Sequence, residues 1–247
     1  MSSIRKTSGV FVLFFVLAIS ASHAQLKTSK YEIGINLGTL VYQGDLTGRL
    51  IGNYKPVRPA LGLYVSRSLD SYFSVRASLT LGKISADEYN NYDSSSWHKY
   101  RGFNFSTPVT ELAASLVFHP FGENGERKLS PYLFAGGGVT FLNVKRDWSK
   151  LNKVAYDEKS KVQIGLGTDT LYNTPRTIAI LPVGGGLRYV LSPQLAVNGE
   201  FTYRFTATDY LDGFKYSGNE NSRDGYYGVS IGLSYRFGGY KCPSVRQ

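Results

Sequence analysis

Residues 194–237 read QLAVNGEFTYRFTATDYLDGFKYSGNENSRDGYYGVSIGLSYRF. In the first arm, Leu195, Val197, Phe201, Tyr203 and Phe205 share one parity, and Asn198, Glu200, Thr202 and Arg204 share the other. In the second, Tyr227, Val229, Ile231, Leu233, Tyr235 and Phe237 alternate with Gly228, Ser230, Gly232, Ser234 and Arg236. A period of two is that of a strand with one apolar face and one polar or small face. Each arm runs about ten to twelve residues, roughly what a tilted strand needs to cross a bilayer. A long polar segment, 207–223, joins the arms in place of a tight turn. The stretch predicts one hairpin of a transmembrane β-barrel.

The same alternation recurs upstream. From Tyr31 to Tyr42, Ile33, Ile35, Leu37 and Val41 oppose Glu32, Gly34, Asn36 and Gly38. Leu61, Leu63 and Val65 mark a second strand, and Phe73, Val75, Ala77, Leu79 and Leu81 a third, against Ser74, Arg76, Ser78, Thr80 and Gly82. Residues 108–119, 132–143 and 177–190 supply three more. Two of these hold glycine triplets, 136–138 and 184–186, which suit a bend or close side-chain packing. The connections alternate in length. Residues 43–58, 87–104, 145–176 and 207–223 are long and polar, the third with room for a short extra hairpin around Val162–Leu166. Residues 69–71, 121–129 and 191–193 are shorter. The expectation is an all-β fold: an eight-stranded antiparallel up-and-down barrel with short periplasmic turns, long extracellular loops and both termini periplasmic.

Arg5 and Lys6, the apolar run Val10–Ala21 and the small residues of Ser22-His23-Ala24 predict a signal peptide over residues 1–24, cut before Gln25. The barrel would then fill 25–237, with a periplasmic tail at 238–247, and the protein would sit in the outer membrane of a Gram-negative bacterium. Nothing after residue 24 approaches the ~20 apolar residues of a spanning helix. Tyr (19), Phe (14) and Gly (27) are abundant enough for aromatic-girdled strands. Without Arg5 and Lys6 the formal charge falls from +10 to +8, and the basic residues left are scattered, which argues against nucleic acid as a partner. A lone Cys242 excludes an internal disulfide framework and a zinc cluster.

The two parities acquire roles in a barrel. The apolar set faces lipid, and the small and charged set fills an interior just wide enough for side chains. Glu32, Glu111 and Glu200 are therefore assigned to the lumen with Arg76, Arg188, Arg204 and Arg236. A buried charge without a partner is strongly destabilising, so these seven are expected to pair across the lumen and plug it.

Catalytic chemistry finds little to work with. A hydrolase would need a nucleophile, base and orienting group on one face. His98 lies near Ser94-Ser95-Ser96 in a loop, and His119 ends a strand before Pro120. Both read as ordinary polar residues. Asp209, Asp212, Glu220 and Asp224 crowd the last loop but match no calcium-loop spacing, and read as solvated carboxylates. The glycine triplets lack the strand-to-helix setting of a phosphate loop. No catalytic residue, metal or cofactor is assigned.

Arg204-Phe205-Thr206-Ala207-Thr208-Asp209-Tyr210-Leu211-Asp212-Gly213, with Gly185-Gly186-Leu187-Arg188-Tyr189 before it, resembles the small outer-membrane barrels of Bacteroidota that include PorG. Asn36-Leu37-Gly38, Tyr42-Gln43-Gly44-Asp45-Leu46, Arg101-Gly102-Phe103-Asn104-Phe105 and Ser130-Pro131-Tyr132-Leu133-Phe134-Ala135-Gly136 extend the likeness. So does the run from Arg76 to Ile84, and together these cover essentially the whole mature chain. The resemblance implies a non-enzymatic component of the type IX secretion apparatus, joining the outer membrane to periplasmic ring proteins of PorK and PorN type. Its contacts would fall to Lys27, Lys30, the 121–129 connection with Arg127 and Lys128, and the tail with Lys241 and Arg246. The alternatives are a surface-binding or adhesin-type barrel working through its loops, and a narrow small-solute channel.

Overall fold

A computed structural model describes residues 31–44, 46–47, 58–91, 96–122, 127–171, 173–206, 208, 211–218 and 224–237. The expected signal peptide, the tail and Cys242 lie outside these residues.

Eight strands close on themselves: β1 (Tyr31–Gln43), β2 (Pro59–Ser68), β3 (Phe73–Asp87), β4 (Asn104–Phe118), β5 (Leu129–Leu142), β7 (Thr177–Val190), β8 (Leu195–Thr206) and β9 (Gly225–Phe237). Each pairs antiparallel with its neighbours, β1 with β9 along its whole length and β3 with β4 over fifteen registered positions. The β1–β9 seam joins the two ends of the sheet, so the barrel has no open edge. A ninth strand, β6 (Lys145–Asp147), extends one wall by pairing with the start of β4.

The alternation becomes an inside and an outside. Leu37 and Ile231, partners across the seam, are 62% and 64% exposed, while Glu32 and Arg236, also partners, are 6% and 5%. In water an exposed apolar belt of this extent would drive association; on a closed barrel it marks the face that meets lipid. Ile231→Arg should therefore cost about 2–4 kcal/mol in a bilayer. Unfolding from vesicles would measure it, and an unchanged midpoint would show that Ile231 does not face hydrocarbon.

The interior is less small than the alternation suggests. Tyr64, Tyr132 and Phe134 point inward with the charges, and the glycine triplets make room for them. A Cβ at Gly184 would lie 2.6 Å from the Phe134 ring, and one at Gly186 would lie 2.5 Å from the Tyr132 hydroxyl and 2.6 Å from the Gly199 carbonyl. Gly137, on the outer face, has nothing within 4 Å of its Cβ position. The inward-facing glycines of the triplets pack closely against neighbouring side chains and backbone. Gly186→Val should cost about 1–3 kcal/mol by overpacking, and Gly137→Ala almost nothing. Paired urea-unfolding curves would distinguish the two, and equal losses would sink the packing account.

Two readings of the loops need correction. Residues 88–103 hold two short helices, α1 (Glu88–Asn91) and α2 (Trp97–Arg101). The supposed hairpin around Val162–Leu166 is a helix, α3 (Lys161–Leu171). Gly165 and Gly167 lower its intrinsic propensity by nearly 1 kcal/mol each relative to Ala, which hid it in the sequence. Gly165 is nonetheless required: a Cβ there would lie 2.3 Å from the Tyr216 carbonyl, where the last loop crosses the helix.

Candidate functional site: a plugged lumen and its cap

The structure brings the seven lumenal charges together in three clusters. Nearest the short-turn end, the Glu32 carboxylate receives Arg188 Nη1 at 2.6 Å, Arg236 Nη2 at 3.1 Å and the Tyr64 hydroxyl at 3.0 Å. Midway, Arg76 Nη1 donates to Glu200 Oε2 at 2.7 Å, and the Tyr132 hydroxyl donates to the same oxygen at 2.9 Å. The Arg76 guanidinium also lies 4.3 Å from the Tyr64 ring centroid. Higher still, Arg204 Nε donates to Glu111 Oε2 at 2.8 Å, and the Tyr226 hydroxyl donates there at 3.0 Å. Each carboxylate meets at least one guanidinium and one tyrosine hydroxyl, so the buried charges are both neutralised and hydrogen-bonded.

The tyrosines are legible in the sequence only in part. Tyr64 shares a parity with Gly62 and Ser66, and Tyr132 with Gly136 and Gly138, which suits both to the interior. Which carboxylate each reaches is not written in the alternation. Cavities of about 40 and 50 Å³ remain beside Arg76 and Arg204, room for a few waters. Asn36 Oδ1 and Arg76 Nε face this space with no protein partner among the described residues.

Above the charges the lumen turns apolar. Leu40, Ile84, Val109, Leu142, Ile178 and Ile180 are all buried, and they join Leu46, Phe103, Leu166, Leu211 and Phe214 from the loops in one core. Phe103 stacks on Phe214 with centroids 4.3 Å apart. The long loops therefore fold down as a cap over the barrel mouth.

Buried polar groups lock the cap. Glu88, fully buried, receives the Arg101 guanidinium, the Phe103 N–H at 3.1 Å and a contact from His98 Nδ1 at 3.0 Å. Arg101 Nη1 goes on to the Ser217 carbonyl at 3.3 Å, tying the second loop to the last. Asp169 of α3 accepts the Tyr216 and Ser217 N–H groups at 3.1 and 3.0 Å and the Ser217 hydroxyl at 2.6 Å. Arg146 of β6 donates to the carbonyls of Asp169 at 2.6 Å and Gly213 at 3.2 Å. Arg101 and Asp169 act on Ser217, 116 and 48 positions away, and Glu88 acts on Arg101, 13 positions away, so no strand alternation marks any of the three.

Two of the last loop's acids correct the reading of solvated carboxylates. Asp212 and Asp224 are buried, 2.8 and 2.5 Å from the Tyr42 hydroxyl. Asp224 also receives the Leu211 N–H at 3.1 Å. They hold the loop to β1. Asp209 and Glu220 lie outside the described residues. No three His, Cys, Asp or Glu side chains converge on a metal position among the described residues.

With the geometry in place, comparison with known proteins gives the family. Residues 7–245 match a family described as a domain of unknown function, DUF6089. The chain belongs to that family. No curated protein matches it in sequence. Among solved structures it is similar to Neisserial surface protein A, at 12% identity and a TM-score of 0.48, over 84% of this chain and 97% of that one. Ail, the attachment invasion locus protein of Yersinia pestis, in complex with sucrose octasulfate, gives 14% and 0.44, over 85% and 99%. A major outer membrane protein of Thermus thermophilus gives 12% and 0.45, over 84% and 99%. At these values they are likenesses of shape alone. The chain's own closed sheet and apolar belt make it a barrel of the outer-membrane type.

The two candidate histidines have structural surroundings. His98 stacks on Trp97 with centroids 3.6 Å apart and reaches Glu88; Ser94 and Ser95 lie outside the described residues. His119 is buried at the short-turn end, with Nε2 3.3 Å from the Ser74 hydroxyl. The space beside that pair is about 10 Å³, too small for a substrate. Of the expected periplasmic contacts, Arg127 and Lys128 are exposed at the short-turn end, with Arg127 over the Phe121 ring at 4.5 Å. Lys241, Arg246, Lys27 and Lys30 lie outside the described residues.

Proposed function

We propose that this protein is a non-conducting, non-enzymatic outer-membrane scaffold that works through its two ends. The observation that carries the reading is the filled lumen: three ion-pair clusters lie beneath an apolar layer, and loops fold over that layer. A barrel sealed in this way offers surfaces in place of a path. Planar-bilayer recording should give no stable conductance steps, and reproducible steps would overturn the sealed-lumen reading.

The resemblance to PorG-like barrels makes the partner an assembly of the type IX secretion apparatus, a periplasmic ring of PorK and PorN type. Exposed Arg127 and Lys128, beside the short-turn rim, suit an acidic partner surface. Crosslinking and affinity purification from outer membranes should recover periplasmic lipoproteins, and deletion should reduce secreted cargo. Normal secretion after deletion would rule this role out.

One observation favours a second reading, a surface-binding barrel. The loops are a folded platform, and Trp97 and Tyr100 are exposed on it at 56% and 46%. Rigid exposed aromatics are the side chains that anchor protein contacts. Shortening residues 88–103 and 145–176 would abolish that function, whereas the periplasmic scaffold would tolerate the change.

A further inference from the structure

At the loop end of the outer face, three neighbouring elements place basic and hydroxyl side chains in one row. Ser85 of β3 is registered opposite Ser106 of β4, and Ser106 opposite Lys145 of β6. Arg58, just before β2, donates through Nε to the Ser85 hydroxyl at 2.7 Å. Lys83 stands two residues below Ser85 on the same outward parity, above Leu81 and Leu79 of the lipid-facing belt. We propose that Arg58, Lys83 and Lys145, with the two serine hydroxyls, form a headgroup site for a phosphorylated glycolipid of the outer leaflet.

Height argues for this occupant. Ten residues separate Phe73, at the short-turn rim, from Lys83. At about 3.3 Å per residue and a tilt near 40°, they span roughly 25 Å, the height of the apolar band of such barrels. The row therefore lies where hydrocarbon gives way to headgroups, and the molecules able to reach it from the side are lipids. Charge argues for phosphate. Lys83 and Lys145 make no ion pair among the described residues, and Lys83 is half-buried on the wall. Two acids of the same face, Asp87 and Asp147, stand one row further from the bilayer, registered with Asn104 between them. Both are engaged: Asp87 by Lys150 at 3.7 Å, and Asp147 by the Ser149 N–H at 2.9 Å, which holds its carboxyl below the usual range. Across the barrel, β8 carries aromatic side chains near its loop end, Tyr203 and Phe205, with centroids 4.6 Å apart. This inference needs the barrel in an outer membrane and is independent of any role in secretion.

The test uses the full chain in phosphatidylcholine vesicles, titrated with bisphosphorylated lipid A, its dephosphorylated form, or inorganic phosphate. A basic residue near a headgroup layer is worth about a five-fold change in binding. Lys83→Gln with Lys145→Gln should therefore weaken retention of bisphosphorylated lipid A by roughly 25-fold, and Lys83→Gln alone by about five-fold. Arg67→Gln with Arg127→Gln removes the same charge at the opposite rim and should leave retention unchanged. Equal retention of the dephosphorylated lipid would overturn the proposal. So would full competition by inorganic phosphate at matched concentration, or an equal loss from the opposite-rim control.

Discussion

Glu32→Ala should destabilise the barrel by about 3–5 kcal/mol, the largest effect expected of any single substitution in the lumen. Glu32 is 6% exposed and stands between two guanidiniums, with Arg188 at 2.6 Å and Arg236 at 3.1 Å. Removing it leaves two buried like charges near each other and also takes the acceptor from Tyr64, 3.0 Å away. A deleted partner of a buried pair costs more than the pair contributes, because the remaining charge keeps its desolvation cost. Glu32→Gln keeps an acceptor for the tyrosine and should cost less. Urea unfolding from lipid vesicles, read by heat-modifiable gel mobility, gives both numbers. A loss under about 1 kcal/mol for Glu32→Ala would mean that lumenal water screens the cluster.

Glu88→Ala should release the cap while the barrel stays folded. Glu88 is fully buried, and it gathers the Arg101 guanidinium, the Phe103 N–H and His98. Its loss takes the carboxylate partner from Arg101, which is 2% exposed, at a local cost of about 3–5 kcal/mol. The chain has two tryptophans, Trp97 in α2 and Trp148 edge-on to Phe214, and both belong to the cap. Their fluorescence therefore reports the cap, and gel mobility reports the barrel. The expected result is altered tryptophan emission, as Trp97 and Trp148 lose their ring contacts with His98 and Phe214, and faster proteolysis of the loops at unchanged mobility. If emission and mobility melt together, cap and barrel are one cooperative unit and the loops are not an independent lid.

The two substitutions probe different distances along the chain, and that difference separates what was legible from what was not. Which face each strand turns inward depends only on neighbours two residues apart, so Glu32, Arg76, Glu111, Arg188, Glu200, Arg204 and Arg236 could be assigned to the lumen from alternation. Pairing Glu32 with Arg188 joins residues 156 positions apart, and Arg204 with Glu111 joins residues 93 apart. Those distances close only when the strands reach their register around the barrel. The buried cap is harder still. A polar loop and a folded loop have similar composition, and Glu88 or Asp212 becomes a buried anchor only once Arg101 or Tyr42 is brought to it.

The amino-acid sequence by itself determined eight strands, their order, the alternation of short turns with long loops and, except at the loop end of the seam where Val41 and Tyr227 are each only 5% exposed, their lipid-facing and lumen-facing parities. These follow from a period of two and from turn chemistry, which are local. The tertiary structure alone decided which charges meet, that tyrosines share their carboxylates, that α3 and β6 exist, and that the opening hairpin's long connection folds back to bury Asp212 and Asp224 against Tyr42. Those outcomes depend on closure, which brings residues far apart in the chain within reach of a hydrogen bond and leaves buried charges no stable alternative to pairing.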